Sequence, residues 1–260
     1  MTIMKTIAKE ILEKIKSKKH VVFYTGAGVS TASGIPDYRS RDGFYNTTEE
    51  DVPENLLSLN CLYETPDKFH KFNKQIFDYC KNASPNIIHI CMAKMVEDGL
   101  ADAIITQNID NLHGRAFVDE NKRKEKLIEF HGNEFIWKCD YCFHKINVTD
   151  YPNTTCPECN TENGLAPTIV LYGQQIDPTV QLTTSMYSKQ ADLKIVVGSS
   201  LTVYPFADYA TGFLDQEMII INLSETNQDS HAKRIYNVNA TDLFLEIYNL
   251  LLEESSDNNE

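Results

Sequence analysis

The chain has no unbroken apolar run near the roughly 20 residues that a membrane-crossing helix needs, which argues against a transmembrane α-helix. Positive charge is scarce: 24 Lys and Arg stand against 37 Asp and Glu, a formal net charge of −13. A surface of that sign disfavours nucleic acid and attracts basic peptides. Disulfide pairing is incomplete by arithmetic, because there are seven cysteines. Four fall in two C-x-x-C pairs, while Cys61, Cys80 and Cys91 stand alone in helical or apolar segments and read as core thiols of a reducing compartment. A signal peptide's apolar block is missing too. Ile3, Ile7, Ile11 and Ile15 recur every four residues among lysines and glutamates, the stripe of an amphipathic helix. The expectation is a soluble, cytoplasmic monomer with no nucleic-acid or membrane partner.

The dinucleotide pattern G-x-G-x-x-G is also incomplete. After the apolar strand Val21–Tyr24 come Gly26, Ala27 and Gly28, but position 31 is Thr and the next glycine is Gly34. Small residues at a strand end let the backbone approach a diphosphate and aim N–H groups at it. A tight strand-to-helix turn without a ligand would use the same residues. Gly34-Ile35-Pro36-Asp37-Tyr38-Arg39 then supplies a fixed loop path, with an aromatic beside a guanidinium that suits a flat or phosphate-bearing ligand. No acid closes a second strand about twenty residues on, where an adenosine ribose is ordinarily held. Glu49, Glu50 and Asp51 fall in unpatterned sequence, so Asn222 or the Ser199–Ser200 pair would have to hold that ribose.

Further apolar runs at Ala103–Thr106, Leu127–Phe130, Ile169–Tyr172, Leu193–Val197 and Met218–Asn222 alternate with helical patterns, predicting a parallel α/β sheet. Pro66 opens a helix with Phe69, Phe72, Ile76 and Phe77 on one side, and Pro85 opens another that ends before Gly99. Arg41 to Thr65 reads as loop, Phe117 to Lys126 as a charged surface loop, Pro205–Phe213 as a helix, and Thr241–Leu252 as a last helix before an acidic tail. The polar stretches after the strands, T-Q-N-I-D at 106–110, H-G at 131–132, G-S-S-L at 198–201 and N-L at 222–223, should converge above the carboxyl ends of the sheet. Cys139-x-x-Cys142 and Cys156-x-x-Cys159, with thirteen residues between the pairs, suit one tetrahedral zinc ion with no open position, hence a structural site; His144 is a spare ligand and redox use of either pair is the alternative.

Taken in order, Gly26-Ala27-Gly28-Val29-Ser30, Gly34 to Arg39, Thr106 to Asp110, Phe130-His131-Gly132, the two cysteine pairs and Gly198-Ser199-Ser200-Leu201 resemble the sirtuin family over about Val21 to Leu223. The resemblance implies an NAD-dependent protein lysine deacylase that yields nicotinamide, free lysine and O-acyl-ADP-ribose. It implies a Rossmann-like NAD-binding domain (1–37, 98–131 and 169–260) and a small domain (38–97 and 132–168) made of a helical segment and a zinc ribbon. His131 would be the general base, with Asn108 as its catalytic companion. Gly26, Ala27, Gly28, Thr31, Tyr38 and Arg39 would form the cofactor loop. Gln107, Asn108, Ile109 and Asp110 would form the nicotinamide and ribose pocket, and Gly198, Ser199, Ser200, Asn222 and Leu223 would hold the rest of NAD. Val170, Tyr172 and Gly173 would face the acyl-lysine substrate, with the segment after Gly173 pairing with its backbone as an added strand. Four positions depart from the family pattern: Tyr38 stands for Phe, Asn111 for Gly, Ala166 for Arg and Gln174 for an acid. The Tyr and Arg that mark a succinyl preference are not evident in the Gly43–Leu62 segment, so acetyl is the expected group. The alternative on the same fold is ADP-ribosyl transfer or NAD hydrolysis.

Overall fold

The computed structural model describes residues 2–37, 52–212 and 216–257. Six short strands, β1 (Val21–Thr25), β2 (Ala103–Thr106), β3 (Leu127–Glu129), β7 (Leu193–Val197), β8 (Glu217–Ile221) and β9 (Arg234–Tyr236), form a sheet in the order β3-β2-β1-β7-β8-β9, every pair parallel. A second sheet, β5-β4-β6, is antiparallel and joins β4 (Ile136–Cys139), β5 (Lys145–Asn147) and β6 (Leu165–Pro167). A parallel sheet needs helices over both faces, so its central strands are apolar throughout; β1, β2 and β7 are buried at every residue.

The pleat sends alternate residues to opposite faces. Val21 and Phe23 join Ile104, Ile195 and Ile219 under the helices Ile3–Lys16, Ile87–Glu97 and Ala240–Asp257, whose Ile11, Ile15, Met92, Met95, Phe244 and Ile247 complete that core. Val22 and Tyr24 point the other way, to Ile105, Phe130, Val196, Phe206 and Ala210. A third cluster joins Phe69, Phe72 and Ile76 of the helix Pro66–Asn82 to Ile35, Ile109, Ile169 and Leu171. No helix among the described residues is long and apolar enough to cross a membrane.

Several expectations need correction. Ile169–Tyr172 is not a sheet strand; among the described residues its one ladder contact is a parallel bridge from Tyr172 to Ser58, because its N–H groups are spent on two neighbouring loops, Val170 on His131 O and Tyr172 on Leu57 O. The charged stretch is a helix, Glu120–Lys126, capped by Asp119 and stitched by Glu120 to Arg123 and Lys124. The part of Arg41–Thr65 that is described contains two short helices, Pro53–Leu56 and Leu59–Glu64. The last helix continues through the acidic residues to Asp257. Ile3 is exposed, so the amino-terminal stripe is made by Ala8, Ile11, Leu12 and Ile15. The helix after Pro205 is described over Phe206–Thr211, and Phe213 lies outside the described residues. The helix Ile87–Glu97 falls in the range 38–97 assigned above to the small domain, yet Cys91, Met92, Met95 and Val96 pack into the core of the large sheet.

A buried polar pair joins the helix Pro66–Asn82 to the segment that leads into β4. Asn73 donates from Nδ2 to Glu134 Oε1 at 2.7 Å, leaving Asn73 Oδ1 and Glu134 Oε2 buried without partners. Burial pushes the Glu134 carboxyl up to about 8, so it folds as the neutral acid. A folded value above the unfolded one of about 4.5 makes this group's contribution fall as pH rises from there to about 8. Glu134→Gln copies the protonated acid. The variant should match the wild type near pH 5 and exceed it at pH 9 by about 1–3 kcal/mol in denaturant unfolding; equal stability of the two at pH 9 would contradict a neutral Glu134.

Candidate active site

β1 has β2 on one side and β7 on the other, so the strand order reverses there, and a crevice opens above the carboxyl ends at such a switch point. A cavity of about 720 Å³ occupies that position. Its floor is where two glycine loops touch. Gly28 N–H donates to Gly198 O at 2.9 Å, and Gly26 N–H donates to Val197 O. Those N–H groups therefore hold the loops together and do not point at a ligand as expected. A Cβ on Gly198, whose φ is +60°, would lie 2.6 Å from Val29 N and 2.7 Å from Gly28 C, so no side chain fits between the loops.

Of the residues named from sequence, Ala27, Gly28, Gln107, Asn108, Ile109 and His131 line this cavity, as do Gly198, Ser199, Ser200 and Asn222. Val170, Tyr172 and Gly173 form its outer wall. Four others lie off it: Gly26 packs beneath, under Gln107 and Ser199; Thr31 turns its hydroxyl back to Gly28 O; Leu223 is 74% exposed; and Asp110 is buried behind the wall. Tyr38 and Arg39 lie outside the described residues, as do Glu49, Glu50 and Asp51. Gln107 ties two loops by donating to Ser199 Oγ. Asn222 spends its Nδ2 on Ser224 O and keeps Oδ1 as an acceptor without a protein partner among the described residues, which is what a ribose hydroxyl requires.

His131 is partly buried, its ring against Phe130 and Phe206. Its Nδ1 lies 3.2 Å from Gln107 O, and a carbonyl can only accept, so Nδ1 carries the hydrogen and Nε2 keeps a lone pair. Burial holds the imidazole below its usual value, partly opposed by the bond to Gln107. Asn108 donates to Gly26 O and Ser30 Oγ, and Ser30 Oγ donates to Asp110 Oδ2 at 2.6 Å. Burial pushes the Asp110 carboxyl up, against the bonds from Ser30 and Leu112 N–H and the charge of Arg115. The next residue, Asn111, adopts φ 59°, a left-handed conformation that Asn tolerates better than most side chains, which accounts for Asn where the family pattern has Gly. Ser30, Ile169, Leu171, Gln175 and Gln181 were not singled out as site residues. Only Ser30 carried a signal, by closing the glycine motif.

The four cysteine Sγ atoms lie within 4.8 Å of one another, with Cys139–Cys159 and Cys142–Cys156 each 3.6 Å apart. A tetrahedral Zn–S bond of about 2.3 Å spaces sulfurs by about 3.8 Å, so the quartet fits a structural zinc ion and leaves it no open position. Free Cys61, Cys80 and Cys91 are buried thiols.

Fold and site together define an α/β nucleotide-binding protein with a second, smaller sheet whose four cysteines fit a structural zinc ion. A model of the Sir2 family matches residues 26–205, and the chain belongs to that family. It is 36% identical over 241 residues to the NAD-dependent protein deacetylase of Thermotoga maritima, covering 90% of this chain and 94% of that one. Identity to the Lactiplantibacillus plantarum NAD-dependent protein deacetylase is 41% over 194 residues, 74% of this chain and 78% of that one. Among solved structures, Sir2Tm bound to a propionylated peptide superposes with a TM-score of 0.78 at 33% identity, covering 95% of this chain and 98% of that one. A complex of Sir2, p53 peptide and NAD+ gives 0.77 at 34% identity over the same shares.

Trp137, the only tryptophan in the chain, is fully buried against Cys139, Cys156 and Leu165. Chelation of the metal, or Cys139→Ser, should shift its fluorescence to the red while the far-ultraviolet signal of the six-stranded sheet persists; unchanged emission after the metal is gone would contradict a metal-pinned lobe.

Proposed function

We infer that this chain removes acetyl groups from protein lysines with NAD as co-substrate, giving nicotinamide, the free lysine and O-acetyl-ADP-ribose. The observation that carries the reading is His131 on the cavity wall with Nδ1 committed to Gln107 O, so that the basic Nε2 is available. The relatives named above are protein deacetylases, and the solved neighbours include Sir2 complexes with acylated peptide or NAD+. These favour deacetylation over ADP-ribosyl transfer or NAD hydrolysis.

NAD supplies the electrophilic ribose carbon and a good leaving group; the protein positions the reactants and excludes water. Ala27, Gly28, Gly198, Ser199 and Ser200 form the floor on which the dinucleotide lies, and Asn222 Oδ1 accepts from the ribose. Asn108 orients the nicotinamide end, with Gln107 and Ile109 beside it, and Asp110 supports Asn108 from behind through Ser30. His131 Nε2 takes the proton from the ribose hydroxyl as that oxygen attacks the acyl carbon. Val170 and Tyr172 flank the acyl-lysine. Among the described residues the backbone of Gln175 makes no hydrogen bond, which supports Gly173–Gln175 as the edge to which the peptide adds. Thr31 and Leu223, off the cavity, carry no direct contact in this mechanism. The reading divides the chain into a Rossmann-like domain and a small zinc-ribbon and helical domain, with the helix Ile87–Glu97 assigned to the former. The cytoplasm is the proposed compartment, on the strength of the buried free thiols, and the monomer the proposed state.

His131→Ala should lower peptide deacetylation by about 10²–10⁴-fold with NAD binding retained, read by mass spectrometry of NAD plus an acetyl-lysine peptide. Because only the neutral imidazole is a base and burial lowers its titration, the wild-type rate should be level near pH 7–8 and decline below the usual histidine value of about 6.5. NAD consumed while the peptide stays acetylated would contradict deacetylation.

A further inference from the structure

A buried histidine outside the cavity wall is wired into the site. The helix Ile87–Glu97 begins on Asn86, whose Nδ2 donates to Val29 O at 2.8 Å and Ser33 Oγ at 2.9 Å, docking the helix end on the glycine loop. Asn86 Oδ1 accepts from Ile88 N–H, and Asn86 N–H points at His89 Nδ1 at 3.2 Å. A backbone N–H can only donate, so Nδ1 holds a lone pair and the hydrogen of the neutral ring is on Nε2. That atom lies 3.4 Å from Ser30 Oγ.

Ser30 Oγ is then saturated. A hydroxyl has one hydrogen and two lone pairs. Its lone pairs accept from His89 Nε2 and from Asn108 Nδ2, and its hydrogen has one remaining direction, Asp110 Oδ2. Asp110 Oδ1 accepts from Leu112 N–H. Both carboxylate oxygens thus receive donors. Burial keeps His89 neutral, its titration lowered to about 3. Among the described residues the ring facing it is His113, 4.7 Å away edge-on, which burial also keeps neutral and which is itself bonded to Thr25 Oγ1.

We propose that His89 is a positioning residue: locked by the helix cap as the Nε2–H tautomer, it occupies one acceptor site of Ser30 and so directs the Ser30 hydroxyl hydrogen onto Asp110, fixing Asp110 and Asn108 for the cofactor. The inference rests on the reading that these two residues serve NAD. Its structural half, the tautomer, does not.

The tautomer is measured on the unmodified full-length protein by long-range proton–nitrogen correlation of nitrogen-15-labelled histidines. His89 should show a hydrogen on Nε2 and none on Nδ1 from pH 6 to 9; a hydrogen on Nδ1 overturns the proposal whatever the enzyme does. Steady-state kinetics with saturating acetyl-lysine peptide supply the second arm. His89→Leu should lower kcat/KM for NAD by about tenfold with the peptide KM unchanged, while His89→Gln, whose amide can still donate, stays within about threefold of wild type. In a Ser30→Ala background the Leu substitution should add no further loss, because its effect passes through that hydroxyl. A full tenfold loss on top of Ser30→Ala, or no rescue by Gln, overturns the proposal. Should the Leu variant fail to fold, the tautomer and the Gln variant still decide it. Complete absence of deacetylation in the wild type with an Nε2–H His89 would instead strike the proposed activity.

Discussion

The structure depends on the contact between two backbones at the switch point of the sheet. β1 and β7 are neighbours, and the loops that leave their carboxyl ends touch through Gly28 N–H and Gly198 O with no side chain between them. Glycine is required there for close approach and for the positive φ of Gly198. The contact closes the floor of the cavity directly over the most buried strands, and it sets where Ala27, Ser199 and Asn222 stand relative to one another.

Behind the cavity wall lies a buried polar cluster. His89, Ser30 and Asp110 form a buried hydrogen-bonded run that ends on the Asp110 carboxyl, which also accepts from Leu112 N–H, and the His113 ring packs edge-on against His89. His131 stands in the link from β3 to the small sheet: Val170 N–H donates to its carbonyl, and Thr168 N–H donates to Ile136 O in that sheet. The zinc lobe therefore bears on the cavity through the chain segments 130–136 and 168–172. Two neutral imidazoles and a neutral Glu134 are what low dielectric selects, since burying an unpaired charge costs more than burying its uncharged form.

Much of the plan was legible in the sequence because it rests on local rules. The apolar runs at β1, β2 and β7 have the composition of strands in a doubly covered sheet. The cysteine spacing is fixed by zinc geometry. What failed was decided by partners far along the chain. Ile169–Tyr172 has the composition of a strand, but its N–H groups meet two loops, so no ladder forms. The edge strand Arg234–Tyr236 is short and largely exposed, and nothing in its composition marks it. Helix Glu120–Lys126 has no apolar face and owes its existence to a cap and ion pairs, which periodicity does not register. The glycines were recognisable as special, but their reason was not: they pack against Gly198, some 170 residues on, and their N–H groups are spent there. Ser30 and His89 could not be joined from sequence, because the loop and the helix cap that bring them together are separate elements.

The most direct test of this account is calorimetric titration of NAD into Gly198→Ala. One added methyl would force the two loops apart, so the affinity should fall at least about tenfold, with Trp137 fluorescence unaltered because the zinc lobe is untouched. NAD binding as tight as in the wild type would contradict the claim that the glycine contact builds the cofactor floor.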